Sequence, residues 1–252
     1  MHAAKMACCL LLAAGAAQAE DAAGIDRLNF RGDALTLELS ADAGKPYKLD
    51  MEKRNWSDQH CKVSVNRQGG ELTFLIDLGA VASDRCGLVI KGNVKPGKRV
   101  TADLQALNGK LSGQFDRVSL RGHALDMDLK GKYKAVALEA NAVKGELRGD
   151  MDELKAKGDA LNLAFEGASR AVALDGQAVK AKLKLLGAQP AASVEAHGQM
   201  VKLDLRASRQ AKLDYQVQGQ ASKVDGDWAN TPGAPLKLRV SGQAVKVSLD
   251  QD

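Results

Sequence analysis

The chain is poor in the residues that most often carry chemistry. Aromatic residues make up 4% of it, and there are four histidines, five prolines and four cysteines. So few aromatics leave little to stack nucleic-acid bases or sugar rings on. Lysine and arginine are interleaved with aspartate and glutamate and never form a basic run. This argues against a nucleic-acid arm and for a solvated surface. No apolar run is long enough for a permanent transmembrane helix. CxxC and HxxxH spacings are absent, as are the G-G-x-G-x-D corners of calcium-binding β-rolls. No pattern marks a catalytic, cofactor or metal site, so the sequence reads as non-enzymatic and without cofactors.

The beginning of the chain reads as an export signal. Lys5 precedes an apolar run from Met6 to Ala17, and Ala17-Gln18-Ala19 gives the small-x-small pattern of a cleavage site. Residues 1–19 are therefore expected to leave as a signal peptide, with Glu20 starting the mature chain. Cys8 and Cys9 stand at the start of the apolar run instead of ending it, which argues against a lipoprotein signal. Loss of Lys5 takes the net charge from +5 to +4. The expected location is periplasmic or secreted. There the remaining even pair, Cys61 and Cys86, is expected to be bridged. The rival reading, a metal site built from Asp58, His60, Cys61 and Cys86, has no supporting spacing.

An internal repeat of 18 residues governs the middle of the chain. The rows are LQALNGKLSGQFDRVSLR from Leu104, GHALDMDLKGKYKAVALE from Gly122, ANAVKGELRGDMDELKAK from Ala140 and GDALNLAFEGASRAVALD from Gly158. A fifth opens GQAVKAKL at Gly176, and looser rows open GQMVKLDL at Gly198, GQASKV at Gly219 and GQAVKVSL at Gly242. Ala106, Ala124, Ala142, Ala160 and Ala178 form one column, Leu107, Leu125, Val143, Leu161 and Val179 the next. Leu111, Leu129, Leu147, Phe165 and Leu183 form a third. Gly113, Gly131, Gly149 and Gly167 mark one corner, and Gly122, Gly158 and Gly176 the other.

Between corners the residues alternate. Leu125, Met127 and Leu129 point one way while Asp126, Asp128 and Lys130 point the other, as in a half-buried strand. One row cannot bury its apolar face alone, but stacked rows form a continuous core. The expected fold is all-β: a two-faced parallel β-solenoid of about 18-residue coils. An antiparallel jelly-roll or sandwich is the alternative. Residues 20–100 are read as strands out of register with the repeat, forming a cap that holds the disulfide, and 101–252 as the solenoid with looser C-terminal coils. The alanine column is expected to permit close approach at a corner.

The outer faces suggest two surfaces. Lys144, Arg148, Lys180, Lys182 and Lys184 form a candidate anion-facing surface. Ala135, Ala137, Ala171 and Ala173 on the second face form a candidate flat docking site.

The passage NVKPGKRVTADLQALNGKLSGQFDRVSLRG (93–122), followed by strands punctuated with glycine, resembles bacterial adhesin-type solenoid families, the head GIN and auto-transporter adhesin domains. The resemblance covers about residues 87–187. It implies a parallel β-solenoid in the cell envelope with no established chemistry. The chain departs in having more lysine and alanine, fewer Gly-Ser-Gly corners and a cysteine pair. The function expected is an adhesin-like scaffold or binding module that presents a repetitive β face to an envelope protein or polymer, with self-association through the solenoid ends. A periplasmic lipid or lipopolysaccharide carrier is the alternative.

Overall fold

In the computed structural model, residues 18–79, 86–187 and 191–252 are described. The expected signal segment lies outside them apart from Gln18 and Ala19, which pair with Met51 and Asp50.

Parallel stacking of apolar columns is what the repeat demands, and the strands follow it. In chain order they are β1 (Gln18–Asp21), β2 (Arg27–Ala41), β3 (Lys48–Arg54), β4 (Lys62–Gln68), β5 (Glu71–Asp77) and β6 (Gly87–Val94). Then come β7 (Lys98–Gly167), β8 (Ser169–Leu185), β9 (Ser193–Ala207), β10 (Leu213–Asp225) and β11 (Leu236–Gln251). No helix forms among the described residues. Strand β7 runs for 70 residues because it is several coils bent at glycine corners without a break in pairing. Its last coil pairs with β8 in parallel at a shift of one repeat, so that Ala160 meets Ala178, Leu161 meets Val179 and Phe165 meets Leu183. The solenoid is therefore parallel, and the jelly-roll alternative is set aside. Antiparallel pairing is confined to β1–β3, β3–β6 and β4–β5 at one end.

The corners explain the glycine column. Gly131 and Gly149 have φ of 138° and 113°, where a side chain is strained. A Cβ on Gly131 would stand 1.9 Å from the Gly113 carbonyl oxygen, and one on Gly149 2.1 Å from that of Gly131. Each coil thus rests its corner directly on the one below. Inside, Leu111, Leu129, Leu147, Phe165 and Leu183 are all buried, as are Val118, Val136, Leu154 and Val172. Phe115 stacks on Tyr133 of the next coil at 5.7 Å, and the Tyr133 hydroxyl donates to the Leu111 carbonyl at 2.8 Å. Burial pushes that phenol well above its ordinary range, so it stays a neutral donor.

The reading of residues 20–100 as out of register is corrected by β2. Strand β2 is a full coil: Ala34 pairs with Ala106, Leu35 with Leu107 and Leu39 with Leu111. Its residues GDALTLEL, from Gly32, repeat the GDALNLAF of Gly158. The other edge of β2 is covered by β5 over 27–32 and by β6 over 36–41. Strands β1, β3 and β4 then close that end.

Both ends of the stack depart from chain order. β2 lies between the β5–β6 coil and the first coil of β7, although it precedes both. At the other end β11 lies between β9 and β10, although it follows both. Apolar content sorts these strands. The inward positions of β11 are Leu236, Leu238, Val240, Val245, Val247 and Leu249, all buried. Their partners in β10 include Tyr215, Ser222 and Val224, and Val224 remains 39% exposed. The more apolar strand takes the two-sided position and the more polar one the edge. The segment between them is anchored by Trp228, which is buried and donates its indole N–H to the Ala211 carbonyl at 3.2 Å.

Two buried amides hold the first end together. Asn93 donates to the carbonyls of Asp42 (2.9 Å) and Lys45 (3.0 Å), pinning the β2–β3 turn. Asn29 bridges Glu71, Thr73 and Thr101 across three neighbouring strands. Among the described residues no buried side-chain nitrogen or oxygen lacks a partner. Cys61 and Cys86 are disulfide-bonded with Cα atoms 6.5 Å apart, which takes both thiols out of any metal site.

Candidate ligand-binding face

Just past the Gly122-type corner, each coil turns one small side chain outward before its inward leucine or valine. These are the alanines of the repeat column. The expectation that they pack at a corner is corrected, because Ala106, Ala124, Ala142 and Ala160 are exposed. Stacked coil on coil, they form the floor of a groove of about 790 Å³ that crosses the strands along the solenoid axis. It continues through Ala178, Met200, Ala244 and Ala221, which are successive partners in β8, β9, β11 and β10. Met200, at 60% exposure, is the largest apolar side chain on this floor.

Two polar columns flank the floor. On the corner side of the last four coils stand Gln177, Gln199, Gln243 and Gln220, all exposed. On the flat side Lys180 pairs with Lys202, Lys202 with Lys246 and Lys246 with Lys223. Parallel in-register pairing puts these four lysines on one face at the strand spacing of about 4.8 Å. Lys223 and Lys246 share Asp225, at 2.8 and 3.6 Å. The hydrogen bond from Lys223 holds the Asp225 carboxyl below the usual carboxylate range, and Lys246 adds to the effect. Lys180 and Lys202 have no carboxylate within ion-pair distance among the described residues.

The candidate anion surface divides along these lines. Lys144 pairs with Asp126 at 3.0 Å, and that hydrogen bond raises the lysine above its ordinary range. Arg148 contacts Glu146 at 3.5 Å, and Lys184 contacts Glu166 and Asp252. Lys182 lies opposite Asp204. Of the five, Lys180 alone belongs to the four-lysine column. Lys202, Lys223 and Lys246 were missed by sequence reasoning, although each stands fifth in its row opening, GQMVK, GQASK and GQAVK, as Lys180 does in GQAVK.

Elsewhere on the solenoid, opposite charges sit one coil apart. Arg121 pairs with Glu139, Lys134 with Asp116, and Arg170 with Asp152. Such exposed pairs are each worth at most about 1 kcal/mol. Single like-charge rungs occur as well, Arg27 with Arg99 and Lys184 with Arg206, but the lysine column sets four in a row.

The alanine patch of the second face is not continuous. Ala171 and Ala173 are the register partners of Glu153 and Lys155, which contact each other at 3.6 Å. That charged rung separates them from Ala135 and Ala137, so no flat apolar site forms. Among the described residues, no three His, Cys, Asp or Glu side chains cluster to hold a metal ion, and no helix is long and apolar enough to cross a membrane.

No family model and no curated protein matches this chain. Among solved structures it is similar to a "putative adhesin" from Bacteroides fragilis, with a TM-score of 0.53 at 12% identity, over 93% of this chain and 96% of that one. A "putative cell adhesion protein" from Clostridium sporogenes aligns over 94% of this chain and all of its own, at 9% identity and a TM-score of 0.24. The first likeness is one of fold. The second carries no argument.

Proposed function

We propose that this chain is an exported, non-enzymatic binding module of the cell envelope, an adhesin-like scaffold that offers a repetitive β face to an extended partner. The observation that carries this reading is the groove, whose apolar floor repeats with each coil from Ala106 to Ala221. A site built of near-identical steps suits a partner that is itself repetitive and lies across the strands, and suits no single reacting atom. The disulfide fits an oxidising compartment. The name of the Bacteroides fragilis protein of similar fold points the same way.

The lipid-carrier reading has less support. A carrier encloses an acyl chain, whereas the interior here is filled by stacked Leu, Val and Phe side chains. The groove lies outside the core and is open along its length.

Retention of purified envelope material tests the proposal. Immobilised protein is expected to hold sacculi or outer-membrane vesicles, and the double variant Ala142→Arg, Ala160→Arg, which fills the groove, is expected to release them while melting like the wild type. Equal retention by both, or none by either, sinks the reading.

A further inference from the structure

The four-lysine column is unfavourable to folding by itself. Like charges directly opposite each other on neighbouring strands repel, and at several other places this chain sets opposite charges one coil apart. The like-charge rungs Arg27 with Arg99 and Lys184 with Arg206 are single pairs and not a run. In the last four coils it places Lys180, Lys202, Lys246 and Lys223 in line and supplies one shared carboxylate, Asp225, at the far end. A cationic line with so little local neutralisation calls for anions from outside. They must recur at the strand spacing, since the cations do.

Three further features narrow the ligand. The glutamine column offers carboxamides, which both donate to and accept from hydroxyl groups, although the Gln177 amide already donates to Asp159 at 3.0 Å. The floor between glutamines and lysines is methyl-lined, through Ala178, Met200, Ala244 and Ala221. It suits the C–H faces of pyranose rings. The scarcity of aromatics leaves no platform for bases and none for stacked sugar rings, so a sugar chain here is held by its charges, its hydroxyls and methyl contact alone. A linear sugar acid repeats its carboxylate every few ångströms, the same scale as the strand spacing of about 4.8 Å.

Resting on the binding-module reading above, we propose that the face formed by Gln177, Gln199, Gln243, Lys180, Lys202 and Lys246 binds a linear acidic polysaccharide of the polyuronate class. The chain lies along the solenoid axis over the alanine–methionine floor. Its carboxylates meet the lysines and its hydroxyls meet the glutamines. A phospholipid, with its charge confined to one headgroup, would leave most of the column unmatched.

The test is titration calorimetry on the full chain with linear galacturonate oligomers long enough to span four coils. Maltooligosaccharide of equal length serves as the uncharged probe and inorganic polyphosphate as the hydroxyl-free one. The wild type is expected to bind the galacturonate and not the maltooligosaccharide. The Lys180→Gln, Lys202→Gln variant removes two lysines without ion-pair partners, so it is expected to melt like the wild type and bind at least tenfold more weakly. Lys110→Gln with Lys130→Gln, equal in charge change but outside the column, should leave affinity within twofold. Gln199→Leu with Gln243→Leu should weaken galacturonate binding and spare polyphosphate binding.

The proposal is overturned by absence of galacturonate binding, by equal losses in the two lysine variants, or by polyphosphate binding as tightly as galacturonate. If envelope material is still retained, and still released by the Ala142→Arg, Ala160→Arg variant, the binding-module reading survives and only the polysaccharide assignment falls.

Discussion

Lys246 is the Cα partner of Lys202 in adjacent parallel strands, although all of β10 separates them in the chain. Lys223, which lies within β10, is one strand further out. Cysteine pairs can read this order. Lys202→Cys with Lys246→Cys is expected to form a second disulfide on mild oxidation, while Lys202→Cys with Lys223→Cys should not, as judged by mass and gel mobility. Asp128→Cys with Glu146→Cys, one repeat apart on the same face, should also bridge. The reverse result for the first two pairs would mean that the coils stack in chain order.

Leu147 occupies the middle of an inward column and is 1% exposed. A carboxylate there would be desolvated with no cation within the core. Leu147→Asp is expected to lose about 4 kcal/mol or more, and with it the cooperative transition in thermal unfolding. A wild-type melt would show that the column does not face the interior.

Gly149 combines positive φ with a backbone contact, whereas Gly69 has positive φ (58°) and open space around it. Alanine at Gly69 should therefore cost about 1 kcal/mol and at Gly149 clearly more, about 3 kcal/mol, in denaturant titrations. Equal losses would mean that coil-on-coil contact at the corner adds nothing to the backbone strain.

The bond between Cys61 and Cys86 closes a loop of 25 residues beside the first end of the stack. Cys61→Ser with Cys86→Ser is expected to lower stability by about 3 kcal/mol, chiefly by freeing the unfolded chain. An unchanged denaturation midpoint would show that the bridge constrains nothing the strands do not already hold.

Asp225 links pH to the lysine column. Its folded-state pKa is depressed by Lys223, so its contribution to stability is present above the ordinary carboxylate pKa and is lost as pH falls through the depressed value. Protonation there also releases Lys223 and Lys246. Affinity for a sulfated polymer, which stays charged in acid, should rise across that window. Asp225→Asn should reproduce the rise at neutral pH, by about two- to fivefold. Weaker binding by Asp225→Asn would assign the carboxylate to the ligand site itself.

The parallel solenoid was legible because its cause is local and repeated: alternation sets the strands, and columns of glycine and leucine set the stack. The β2 coil escaped notice because a strand–turn–strand insertion separates GDALTLEL from the other rows, although its letters match theirs. The order of β10 and β11 could not be read from periodicity, since GQASKV and GQAVKVSL fit either position. It follows from how much apolar surface each strand must cover, a comparison between strands that a row alignment does not make. The alanine column was recognised as a column but assigned to packing. Spacing alone does not tell an outward corner residue from an inward one.

The exchanged strands bear on how the chain reaches its final state. A simple coil stack can grow one rung at a time from the direction of synthesis, each new rung laid on the last. Here the β9 edge waits, because its neighbour is made only after β10 has passed. Until Leu236–Gln251 arrives, two apolar edges face water or each other in the wrong register. Strand β11 is a keystone and not a lid. Refolding is expected to end in one late, concerted closure, and a nascent chain halted before Leu236 should remain protease-sensitive well back into β9.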